Sequence, residues 1–211
     1  MLPKSRRKAA VAIYFLALLV RLVWIFGFHG YQFGRPEPVM IAISLAKTGT
    51  FGNPYAIPTG PTAHAPPVYP ALIAPIYALL GDTPKADLVR IACSAAAASG
   101  EYALLPYVAE AFGIGAWPGL IAGFGGALVP LHHWPECMGE FETTFTALFI
   151  EISALLFARM VRKGKLSAGG AWRGGLWCGI GLLCSPNALF VVAALVALGI
   201  WKLRPRPAAA L

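Results

Sequence analysis

Acid is scarce in this chain: Asp and Glu together number 9 among 211 residues. Charged residues of both signs reach only 12%, against roughly 25% in an average soluble domain, and mean hydropathy is +0.67. A water-soluble globular domain is excluded. Cysteine is sparse as well. Cys93, Cys137, Cys178 and Cys184 show no CxxC or CxxH spacing, which excludes a zinc site or disulfide framework of the usual kind. Three of them lie in apolar segments and read as small core residues. No internal repeat is present, which argues against the inverted-repeat plan of many transporters.

What the chain does have is hydrophobic length and base. The net charge of +8 does not form a binding stripe: Lys4, Arg6, Arg7 and Lys8, then Arg159, Arg162, Lys163 and Lys165, then Lys202, Arg204 and Arg206, each flank an apolar run. That is the distribution of cytoplasmic flanks, and it excludes nucleic acid as a partner. Apolar runs of spanning character cover about residues 9–28, 88–107, 117–131, 141–161, 172–184 and 187–203. No small-x-small cleavage site follows the first run, so it reads as an uncleaved anchor. Val68 to Leu80, short and holding Pro70 and Pro75, reads as an interfacial or re-entrant piece. If it does not cross, all three basic clusters fall on one side. The expectation is an all-α integral membrane protein of about six transmembrane helices, a single module over 1–211. It sits in the inner (plasma) membrane with both termini cytoplasmic.

The loop 29–86 is then on the outer side, long, nearly uncharged and rich in Pro and Gly. It is too apolar and aromatic for a disordered tether. Pro36 and Gly49 bracket a short helix, EPVMIAISLAKTG, with Glu37 in the first turn, where the helix dipole favours a carboxylate. Turn residues GNPYAIPTGPTAHAPP follow, and Tyr55, Pro67 and Tyr69 are expected to pack against the outer ends of the first spans. Gly115–Leu131 and Gly174–Leu183 carry the glycine that allows close helix approach. Arg21 is placed near the outer end of the first span and Glu101 nearer the cytoplasmic half of the second, too far apart to be direct partners.

Several runs resemble the membrane glycosyltransferases of the GT-C fold, nearest to glycosyltransferase family 39, the dolichyl-phosphate-mannose-protein mannosyltransferase-like group. They are RLVWIF, PEPVMIAISLAKTGTFGNPY, GPTAHAPPVYP, AFGIGAWPGLIAGFGGALVP, WPECMGEFETTFTALF and GLWCGIGLLCSPNALFVV. The GPTA-x-x-PPVYP run is the most specific. The chain departs from the family in its length, in AEAFGIG where relatives carry a basic turn, and in His64 where they carry Trp.

The resemblance implies a GT-C-like N-terminal module, from a truncated or split enzyme. It would move a sugar from a polyprenyl-phosphate carrier to an acceptor on the outer face, with membrane lipid, the polyprenyl-phosphate-linked sugar and a second chain completing the fold as partners. Glu37 and Glu142 match the family's acidic positions, because an attacking hydroxyl needs a base within reach. Arg90, His64 and Tyr69 are the expected substrate contacts. The leaving phosphate calls for positive charge from Arg, Lys, His or a divalent metal, and the cofactor stays open between these. His64, His132 and His133 read first as interfacial aromatics, a metal role needing them to converge with a carboxylate, and Glu136, Glu140 and Glu142 read equally as a solvated rim. The reading from a different class is a non-catalytic membrane subunit, a degenerate remnant or a transporter of lipid-linked substrates.

Overall fold

The computed structural model describes residues 4–27, 35–128, 142–162 and 168–203. Eight α-helices account for most of them: α1 (Lys4–Gly27), α2 (Glu37–Thr48), α3 (Val68–Leu80), α4 (Pro84–Ala111), α5 (Ala116–Leu128), α6 (Glu142–Arg162), α7 (Ala168–Cys184) and α8 (Ala188–Leu203). No strand occurs among the described residues; Gly52 and Pro61 form a single isolated bridge. Among the described residues three helices are long and apolar enough to cross a membrane: Arg6–Gly27, Pro84–Ala111 and Thr143–Arg162. The 13 residues of α5 rise only about 20 Å, short of a hydrocarbon core of about 30 Å. α7 and α8, with 17 and 16 residues, also fall below the ordinary spanning length of about 20.

The helix ends follow the local chemistry. Pro36 is extended and Pro38 sits in the first turn of α2, so the ring that would break a helix interior starts this one. Gly49 closes it at φ 70°, where its N–H reaches the Leu45 carbonyl at 3.0 Å. Thr83 caps α4 by accepting from the Ala86 N–H at 3.3 Å, and Pro84 follows as the first helical residue.

α1 and α4 run antiparallel: Arg6, at the start of α1, reaches Glu110, at the end of α4, across 3.5 Å. α5 lies against both. Its glycines form the seam, for a Cβ on Gly119 would fall 2.6 Å from the Pro106 Cα, and one on Gly123 would fall 2.7 Å from the Tyr102 carbonyl oxygen. α4 also packs on α6, and α6 in turn meets α7 and α8. α2 and α3 form a separate layer around Val39, Ile43, Tyr69 and Ile73, docked on the start of α4 through Ala86.

The cysteines differ from the sequence reading, whereas Arg21 stays in the last third of α1. Only 1% exposed, it lies with its guanidinium 4.5 Å from the centre of the Tyr102 ring, beside Glu101 in the chain. Helical side chains lean toward the helix N-terminus, which carries this long one a turn deeper than its Cα. Among the cysteines only Cys184 is buried; Cys178 is half-buried and Cys93 faces outward, while Cys137 lies outside the described residues.

Candidate functional site

The segment between α2 and α3 is folded on itself. Asn53, the one described non-glycine residue at positive φ (53°), organises it: its side-chain oxygen accepts from the Thr59 and Gly60 N–H groups at 3.0 and 2.9 Å. Its amide nitrogen donates to Ser44 Oγ at 3.2 Å, tying the turn to α2. The Asn53 N–H meets the Gly60 carbonyl at 2.9 Å, and the Thr62 N–H meets that of Phe51 at 3.1 Å. Gly52 has no room for a side chain, since a Cβ there would collide with the Gly60 carbonyl.

This fold delivers His64 to the start of α2. His64 Nε2 lies 2.8 Å from Glu37 Oε2, with 55% and 41% of the two side chains exposed. Carboxylate and imidazole, 27 positions apart in the chain, thus form one pair at a wet surface. Tyr55 does not pack against the spans. It is 47% exposed, and its ring tilts over His64 at 6.1 Å between centroids. Pro67 is exposed at the start of α3.

Tyr69 and Arg90 make the second pair. Both are 2% exposed, and Arg90 Nη1 donates to Tyr69 Oη at 3.4 Å. Tyr69 also meets Phe145 of α6, with centroids 5.5 Å apart. Phe145 lies one turn after Glu142, which opens α6 and whose side chain is outside the described residues. His132, His133, Glu136 and Glu140 lie outside them altogether.

Beneath these pairs runs a charge network that the sequence reading missed. Asp87 is its hub. Its Oδ2 accepts from Arg35 Nη2 and Nε at 2.8 and 3.2 Å, its Oδ1 accepts from the Tyr77 hydroxyl at 2.7 Å, and Arg90 Nε lies 3.9 Å from Oδ1. Arg35 also pairs with Asp82, and Lys47 Nζ reaches Asp82 at 2.6 Å. The Lys47 hydrogen bond, helped by Arg35, holds the Asp82 carboxyl below its usual range. Burial pulls the Arg35 guanidinium down, but Asp87 and Asp82 outweigh it and the net shift is upward. Burial, with Asp87 as acceptor, keeps the Tyr77 phenol protonated well above its ordinary range. The signal available in the sequence was the Asp87, Arg90 spacing of one turn just after the Thr83 cap.

Among the described residues no three His, Cys, Asp or Glu side chains converge as metal ligands. Glu37 and His64 offer one oxygen and one nitrogen, fewer than the four ligands a divalent zinc takes. The arrangement can do proton chemistry without further parts. A carboxylate whose one oxygen is held by an N–H keeps its other oxygen for an incoming hydroxyl. Compared with known proteins, the chain matches no family model, no curated protein and no solved structure.

Proposed function

We propose that this chain is a GT-C-like glycosyltransferase module of six membrane crossings, with both termini cytoplasmic, that moves a sugar from a polyprenyl-phosphate carrier to an acceptor at the outer face. The observation that supports it is the Glu37–His64 pair, held at 2.8 Å on an ordered loop and open to solvent. In this reading Glu37 takes the proton of the attacking hydroxyl, and His64 orients it by donating to the other carboxylate oxygen. Positive charge opposite the leaving phosphate comes from Arg90, which acts through the field from beneath Tyr69 rather than by contact at the surface. Glu142, opening α6 one turn from Phe145, is the second acidic residue.

The Glu37→Gln change separates this from a purely structural pairing. An amide oxygen still accepts from His64 Nε2, so the latch survives while basicity is lost. In the complete assembly to which the chain belongs, transfer should fall by about a hundredfold with thermal stability unchanged. Unchanged transfer would leave the pair as a structural latch and favour the non-catalytic subunit. Topology has its own test: cysteines at Lys85 and Phe112, at opposite ends of α4, should label from opposite sides of the membrane, Lys85→Cys from outside.

A further inference from the structure

Each of the three helices long enough to span carries one charged residue inside its apolar stretch: Arg21 in α1, Glu101 in α4 and Glu151 in α6. Glu151 stands near the middle of its helix, about 14 Å along the axis from Glu142 and about 17 Å from Arg162. Arg21 is 1% exposed and lies over the ring of Tyr102, the residue that follows Glu101, itself 8% exposed. α4 packs on α6 at this level: a Cβ on Gly100 would fall 3.5 Å from Leu148 Cδ2, one residue before Glu101 and one turn before Glu151. The two carboxylates are near enough for the Glu101 charge to act on Glu151. Glu151 is half-buried, and its Oε2 is a buried atom with no hydrogen-bond partner.

Counting charge decides what such a site takes up. One guanidinium against two carboxylates leaves one negative charge in excess, and an unbalanced charge at membrane depth is costly. The neighbouring helices do not offset it: α5 has no charged residue, α7 has only Arg173 near its start, and α8 has none before Lys202. The remaining titratable side chains on the packed helices are the phenols Tyr14, Tyr102 and Tyr107 and the thiols Cys93, Cys178 and Cys184, none of which carries positive charge. One monovalent cation restores the balance. A metal ion calls for a shell of several ligands, and among the described residues no three acidic, His or Cys side chains converge. A proton needs only the carboxylate oxygens.

A route to it lies on α4. Asp87, Arg90, Ser94 and Glu101 fall within about 60° of one another around the helix, a polar stripe leading from the Asp87 network to Glu101. Ser94 is fully buried, yet its Oγ has no hydrogen-bond partner. Ser99 and Ser153, the other buried serines of the spanning helices, each give their hydroxyl to the carbonyl four residues back at 2.7 Å. The Ser94 hydroxyl is not spent in this way, and a buried hydroxyl of that kind is a place for water.

We infer that Glu101 and Glu151 bind one proton between them inside the membrane, offsetting the second carboxylate beside Arg21, and exchange it past Ser94 with the Asp87 end of α4. The inference is independent of the chemistry assigned to Glu37. A hydrophobic carbodiimide tests it, because a carboxyl must be protonated to add across the carbodiimide C=N bond. The purified full chain is held in phosphatidylcholine liposomes at about pH 7, where an ordinary solvated glutamate is more than about 99% ionised. Dicyclohexylcarbodiimide should place one adduct per chain, on Glu101 or Glu151, at least about a hundredfold faster than on Glu110 at the exposed end of α4.

E151Q and E101Q should each abolish that adduct, since either leaves one carboxylate facing one guanidinium. R21Q should give two adducts, and R21K, which keeps the charge, one. E151Q should also melt with the parent, so that lost labelling is not lost fold. Ser94→Ala should slow the response of labelling to an alkaline jump severalfold. No fast adduct in the parent, an adduct that survives both glutamine variants, or a single adduct in R21Q would overturn the inference. Protection by sodium at constant pH would assign the pair to a metal cation and overturn it too. A Ser94→Ala variant that responds at the parent's rate would overturn the route.

Discussion

At the α4–α5 seam the glycines that face α4 meet a wall: Gly123 lies under the Tyr102 backbone, and Gly126 under the Tyr102 ring, while Gly125 is open. Among α6, α7 and α8 the glycines are as frequent, yet Gly169, Gly175 and Gly179 meet nothing within 4 Å. Gly181, closed by the Phe149 ring, and Gly199, whose Cβ would fall 3.0 Å from the Phe157 ring, are the closed ones there. The same residue type therefore makes a close-packed joint in one half and an open cleft in the other. The difference lies in what stands opposite. α4 presents a backbone carbonyl and a fixed aromatic ring to α5, whereas α6 presents long flexible side chains such as Met160, whose sulfur lies 3.9 Å from a Cβ on Gly174. Glycine content alone marks where helices can approach, and the facing residue decides whether they do.

The contrast can be broken most directly at Gly123. A Gly123→Leu change pushes a side chain into backbone that cannot yield, and should cost about 3 kcal/mol or prevent folding, read as thermal midpoint in detergent. Gly175→Leu should stay within about 0.5 kcal/mol of the parent. If both variants melt alike, the two halves are packed alike. Next in size is Asp87→Asn, which tests whether the tight half extends to the α2–α3 layer. Loss of the charge that receives Arg35, Tyr77 and Arg90 should cost about 2 kcal/mol and open the 49–66 segment to protease, with α7 and α8 unaffected.

The smallest effect is in acid. The Asp82 carboxyl is held below its usual range, so its pairing contributes fully above the unfolded-state value of about 3.9 and is lost as pH falls through the folded value. Protease sensitivity of the 49–66 segment should therefore rise below about pH 4, and this rise should be absent in Asp82→Asn, where the segment is already loosened at neutral pH. A rise of the same size in Asp82→Asn would assign the acid response elsewhere.

Much of this layout was legible because proline and glycine act locally. Pro36, Gly49, Thr83 and Pro84 set helix ends by their own dihedral or cap requirements, so α2, α3 and α4 fall close to where the sequence places them. An ordered loop was also legible, from its aromatic content. The partners were not. Nothing in GPTAHAPP tells which residue His64 meets, because that depends on Asn53 and Gly52 closing the turn. Nothing in the sequence around Asp82 and Asp87 names their partners, and the packing of α3 on α4 is what makes Asp87 a hub. Arg90 was expected as a substrate contact, and the structure places it inside, where Tyr69 covers the face of α4 it occupies.

Arg21 has a consequence for how the protein is made. A guanidinium in an apolar spanning helix costs at most about 2.5–3.5 kcal/mol at insertion, and in the finished fold that charge lies over a ring on α4. α1 emerges from the ribosome long before Tyr102 exists. Until α4 is synthesised, the first helix has a reason to wait in the polar interior of the insertion machinery rather than leave for lipid, so the two helices should enter the bilayer as a pair. Replacing Arg21 with leucine would let α1 partition alone, uncoupling two events that the native chain joins in time.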